Sequence, residues 1–112
     1  MNRDTALALG YAVLILSLSS IPGQHYPSGK LFSQDKILHF IEYFGFAVLI
    51  VRSLPLSASV ALGVGIAVIF GGLDELYQQF VPGRDSSFAD WIADALGAFL
   101  GGNFYARWRA GS

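Results

Sequence analysis

"DELYQQFVPGRDSSFAD", residues 74–90, sets four acids, two glutamines and an arginine between two of the most apolar stretches of the chain. Pro82-Gly83 at its centre is a helix stop joined to a turn signal. The residues before it therefore belong to the end of one helix, and those after it to the start of the next. The polar residues cluster around this stop, and the chain on either side is long and apolar.

Working outward from the stop, four segments approach the ~17–25 apolar residues that a helix needs to cross a bilayer core about 30 Å thick. They run from about Thr5 to Ile21, Lys36 to Leu54, Ser57 to Phe80 and Ser87 to Trp108. Pro22-Gly23, Pro55 and Pro82-Gly83 punctuate three of the ends. The composition agrees: 54% of the 112 residues are hydrophobic, 13% are charged, and mean hydropathy is +0.52, an unusual balance for a water-soluble domain of this size. The fold expected is all-α, a polytopic membrane protein in which residues 1–112 form one domain, a bundle of four transmembrane helices. Residues 1–21 also admit a secretory signal-peptide reading, with "SLS" at 17–19 as the cleavage site, but Asp4 spoils the basic n-region.

Net charge is −1 and no block of Lys or Arg occurs, so nucleic acid is excluded as a partner. Cysteine is absent, which removes disulfides and thiolate metal sites. Of the two histidines, His25 falls in a loop and His39 in an apolar run. The charge bias places both termini in the cytoplasm: Arg3, Arg52, Arg107 and Arg109 inside, against Lys30, Lys36 and Arg84 outside.

With four antiparallel spans, the start of helix two, the end of helix three and the start of helix four share one face of the membrane. Each of those ends carries a polar stripe. Asp35, His39 and Glu42 follow i, i+4, i+7 and continue into Gly45 and Phe46; Gly71, Asp74, Glu75 and Gln78 follow i, i+3, i+4, i+7; Asp90, Asp94, Gly97 and Gly101 follow i, i+4, i+7, i+11. An ionised side chain near the bilayer centre costs roughly 2.5–3.5 kcal/mol even on the most lenient scale. The acids are therefore expected to face one another or water. Small residues, Gly63, Ala67 and Gly71 on helix three and Ala93, Gly97 and Gly101 on helix four, form ridges for close packing. The same ridges could also serve a homo-oligomer.

Several of these residues have simpler roles. Asp35 fits an N-cap, and Ser87 with Asp90 fits a capping box. Asp74 is placed to reach headgroups. Tyr77, Trp91, Tyr105 and Trp108 suit interfacial anchors. Glu42, Glu75, Gln78 and Arg84 are not covered by capping or snorkelling, although an internal network that only fixes helix packing would account for them.

The blocks "DKILHFIEYFGFA" (35–47), "DELYQQFVPGR" (74–84) and "DWIADALGAFLG" (90–101) together resemble the VanZ-like family of small bacterial membrane proteins. The resemblance spans nearly the whole chain apart from the first helix. It rests on Asp35, Lys36, His39, Glu42 and Tyr43, on Asp74, Glu75, Gln78, Pro82, Gly83 and Arg84, and on Asp90, Gly97 and Gly101. Asp94 stands where the family pattern has asparagine. The resemblance implies a cell-envelope role in the bacterial cytoplasmic (inner) membrane and a link to resistance against teicoplanin-type glycopeptide antibiotics. It does not imply a reaction.

His39, Glu42, Glu75, Gln78, Arg84, Asp90 and Asp94 are thus the candidate pocket at the outer face. The preferred function is binding a lipid-linked envelope precursor or a phospholipid headgroup, with the planar fork of Arg84 on the anionic group. One alternative is an intramembrane enzyme with His39 or Glu42 as base and Glu75 as its partner. No nucleophile motif supports it, and Ser86 and Ser87 read as loop and cap residues. A divalent metal on His39, Glu42 and Glu75 would need a motif with a second histidine to be compelling, so neither metal nor cofactor is expected. A proton-coupled carrier is the third reading, weakened because the acids stay in one leaflet.

Overall fold

The computed structural model describes residues 2–21, 32–58, 60–83 and 87–111. His25, Lys30, Arg84, Ser86 and the side chain of Asp35 lie outside the described residues. Four helices make up the fold: α1 (Arg3–Ser19), α2 (Phe32–Ser53), α3 (Val60–Gln78) and α4 (Phe88–Gly111).

The helix ends follow from local chemistry. Asn2 caps α1, its side-chain oxygen accepting from Thr5 N at 2.8 Å. α2 begins at Phe32, so Asp35 lies inside the helix and is not its N-cap, contrary to expectation. α3 tightens at its end into i→i+3 bonds from Gln79, Phe80 and Val81 to Leu76, Tyr77 and Gln78. Pro82 has no N–H to continue the ladder. Gly83 then turns the chain at φ 76°, a left-handed conformation that favours glycine.

Each helix buries one stripe. That of α3 is Gly63, Ala67, Gly71, Asp74, Glu75 and Gln78; that of α4 is Asp90, Asp94, Gly97, Ala98, Gly101 and Gly102. α2 contributes His39, Tyr43, Phe46, Ala47, Ile50 and Val51, and α1 contributes Ala8, Ile15 and Ser19. The outward faces are apolar. Val13, Ile37, Ile41, Ile69, Leu73 and Phe104 are all more than half exposed. In water this arrangement of acids inside and large apolar side chains outside would be inverted. With lipid as the solvent it is the favourable one. Among the described residues α3 alone is long and apolar enough to qualify as a membrane span by length and composition. α1 has 17 residues, and the acids that lower the hydropathy of α4, Asp90 and Asp94, are on its inward face.

α2 and α4 run parallel in the closest packing of the bundle. A Cβ on Gly97 would lie 2.2 Å from Phe40 O, and one on Gly101 would lie 2.3 Å from Phe44 O. The α4 ridge is thus pressed against the backbone of α2, and its register is Asp94, Gly97, Ala98, Gly101 and Gly102, with Ala93 only half-buried beside it. On α3, Gly63 admits the Val51 side chain, Ala67 is fully buried, and Gly71 lets Asp94 and Tyr43 approach. The small-residue ridges are therefore occupied by packing within one chain.

α1 rests on α2 in the antiparallel sense. Tyr11 donates its hydroxyl to Glu42 O at 2.7 Å and stacks on Phe46 with ring centroids 5.7 Å apart. At the far end Asp4 meets Arg52 at 3.0 Å. The bundle measures 43 × 28 × 19 Å.

Candidate functional site

The start of α2, the end of α3 and the start of α4 meet at one end of the bundle, and the end of α1 joins them. The core changes character along its length. Ile50, Phe46, Ala67 and Ala98 fill the apolar part, whereas His39, Asp74, Glu75, Gln78, Asp90 and Asp94 are all buried at the polar end.

His39 sits at the centre of that end. Its Nδ1 is 2.7 Å from Asp94 Oδ1 and 3.8 Å from Glu75 Oε1, and its Nε2 is 3.9 Å from Asp90 Oδ2. One imidazole thus faces three carboxylates contributed by two other helices. Asp90 is also paired with Nζ of Lys36, in the second turn of α2. Lys36 is missing from the site read off the sequence, where it counts as an outer-loop charge. The four-residue spacing of Asp35 to His39 was visible there, but the side-chain neighbour of Lys36 was not.

A second layer lies against α1. Asp74 is only 2% exposed, and so does not reach headgroups as expected. Its Oδ2 accepts from the Tyr43 hydroxyl and from Gln78 Nε2, both at 3.3 Å. Gln78 Nε2 also donates to Ser19 Oγ at 3.2 Å, which ties the end of α1 to the end of α3. Tyr43 and Ser19 are site neighbours that periodicity alone did not single out. Tyr43 lies in a quoted block, while Ser19 gives no signal beyond being polar in an apolar helix.

The start of α4 is held by both expected and unexpected groups. Ser87 Oγ accepts from Asp90 N at 3.1 Å, the serine half of the capping box. The reciprocal half is supplied by another helix: Ser87 N donates to Glu75 Oε2 at 3.2 Å. Asp90 is thereby released for Lys36. Trp91 is likewise more than an interfacial anchor, because its Nε1 donates to Val68 O at 2.9 Å.

Glu42 is half-buried in a groove of α1 and α2, lined also by Tyr11, Leu14, Leu18 and Ile41. The three groups placed to share an ion are instead His39, Glu75 and Asp94, whose ligand atoms all lie within 4.8 Å of one another. On the outer surface, α3 and α4 enclose an apolar groove of about 420 Å³ lined by Ile69, Leu73, Leu76, Phe88 and Trp91, and Glu75 and Ser87 open onto it.

Residues 6–109 match the VanZ/LLP1 family. The chain belongs to that family. VanZ/LLP1 proteins are associated with teicoplanin resistance, and membership links the chain to the membrane and the cell envelope. The match includes α1 from its first turn, beyond the blocks on which the resemblance rested. No curated protein and no solved structure matches this chain.

Proposed function

We propose that this VanZ/LLP1 protein is a multi-pass protein of the bacterial cytoplasmic membrane, its four helices spanning the bilayer with both termini in the cytoplasm. Its polar end binds the headgroup of an envelope lipid, either a lipid-linked precursor or a phospholipid. The observation that carries this reading is the α3–α4 groove: an apolar channel on the outside of the bundle, with Glu75 and the cap residue Ser87 among its lining residues. A lipid chain laid against Leu73 and Leu76 would bring its polar head to that wall. Concave, mostly apolar sites with a few placed polar groups are the usual form of small-molecule pockets.

Binding is favoured over carriage by the distribution of charge. The buried acids occupy one end of the core, and the remainder is filled by Phe46, Ile50, Ala67 and Ala98. A crossing pathway would need polar groups along the full depth. Arg84 remains in the proposal as the group that meets a phosphate, on the strength of its chemistry alone.

Native mass spectrometry of the detergent-extracted protein tests the reading. A co-purifying lipid is expected on the unmodified chain, with its occupancy strongly reduced in Leu76→Trp, which fills the groove beside Glu75. Lipid adducts of equal abundance in both proteins, or none in either, would rule the groove out as the binding site.

A further inference from the structure

Among the described residues, the polar end holds buried acceptor oxygens that meet no donor. Asp94 is fully buried, and its Oδ2 has no hydrogen-bond partner. Leaving such an oxygen unmet in a low-dielectric core costs free energy. Asp74, Glu75, Asp90 and Asp94 are all buried, and Lys36 pairs with Asp90. A cation beside the imidazole would meet the unpartnered oxygen of Asp94.

We propose that His39, Glu75 and Asp94 form a divalent transition-metal site, with Zn2+ preferred and Mn2+ second. The ligand atoms come from three helices and already lie within 4.8 Å of one another. Ligands at about 2.0–2.2 Å from a single ion are at most about 4.4 Å apart, so modest side-chain rotation closes the set. One imidazole nitrogen with two carboxylate oxygens suits Zn2+, and the carboxylates admit Mn2+. Ion binding replaces the hydrogen bond between His39 Nδ1 and Asp94 Oδ1, now 2.7 Å apart, and releases its proton to solvent. Either carboxylate oxygen of Asp94 can then serve as ligand, including the one that lacks a partner. The backbone is preorganised for this arrangement: Gly71 gives Asp94 room from α3, and Gly97 seats α4 on α2 one turn further along. This set replaces Glu42, the third ligand suggested by sequence spacing, with Asp94. The inference does not depend on the lipid reading, because the metal can be measured on delipidated protein.

The test is titration of the chelator-treated, detergent-solubilised full chain with Zn2+ and with Mn2+, followed by calorimetry and elemental analysis. One equivalent of Zn2+ per chain is expected. Asp94→Asn, which keeps shape and removes charge, and Glu75→Gln should each weaken binding tenfold or more, and Glu42→Gln should not. The proposal is overturned if the unmodified chain binds neither ion. It is equally overturned if Asp94→Asn binds as well as the unmodified chain, or if only Glu42→Gln abolishes binding. Should the Asp94 and Glu75 variants fail to fold, Co2+ loaded into the unmodified chain decides: visible bands of a nitrogen- and oxygen-ligated ion support the site, and the spectrum of free aqueous Co2+ refutes it.

Discussion

Among the described glycines, Gly97 and Gly101 are the most tightly packed, each facing a carbonyl oxygen of α2 at a distance no Cβ could occupy. Gly65, one turn away from nothing in particular, has open space around it. The contrast makes a prediction. Gly97→Ala should lower the thermal midpoint in detergent, because overpacking of this kind typically costs about 1–3 kcal/mol. Gly65→Ala should leave the midpoint unchanged or raise it, since glycine in a helix interior is roughly 1 kcal/mol worse than alanine. Equal midpoints, followed by circular dichroism, would contradict the α2–α4 packing. The Asp4–Arg52 pair is different in kind. Both side chains are partly exposed, at 33% and 45%, and such pairs contribute only about 0–1 kcal/mol. Arg52→Gln is therefore expected to fold and melt much as the unmodified chain does.

At the scale of the helices, the start of α4 depends on two partners, the Ser87 hydroxyl and the Glu75 carboxylate. Ser87→Ala removes a side-chain cap worth about 0.5–2 kcal/mol. Hydrogen exchange should then quicken at the Asp90 amide while the middle of α4 stays protected. Glu75→Gln keeps an oxygen for Ser87 N and should retain protection of the Ser87 amide, whereas Glu75→Leu should lose it. Unaltered exchange in Glu75→Leu would mean that α3 does not cap α4. The sequence pointed to the serine half of this cap, because capping boxes are local. It could not supply the other half, which lies 12 residues upstream on a different helix.

For the molecule as a whole, the proposed topology puts both chain ends on one side of the membrane and the polar end on the other. Cysteine is absent from the chain, so single introduced cysteines report accessibility without background. Asn2→Cys and Gly111→Cys should react with an impermeant thiol reagent only after the cells are opened. Phe80→Cys, at a position 83% exposed, should react in intact cells. Labelling of Asn2→Cys and Phe80→Cys from the same side would overturn the four-span reading.

Helix number, the inward stripes of α3 and α4 and the meeting of the polar helix ends at one end of the bundle were legible in the chain, whereas the stripe of α2 buries Tyr43 and Ala47 in place of Glu42 and Gly45. The reason is that a 3.6-residue period and a proline stop are local properties, and each is carried within a few residues of sequence. The ridge on α4 was read nearly right, with Ala93 standing in for Ala98 and Gly102, since a shift of one residue on a helix is a rotation that composition cannot detect. Partnership was different. That Lys36 takes Asp90, that His39 takes Asp94, and that Ser19 takes Gln78 depends on how each helix is rotated about its own axis and how closely it approaches its neighbour. Those two quantities are set where glycine meets backbone, as at Gly97 and Gly101 against Phe40 and Phe44, and they exist only once the helices are packed.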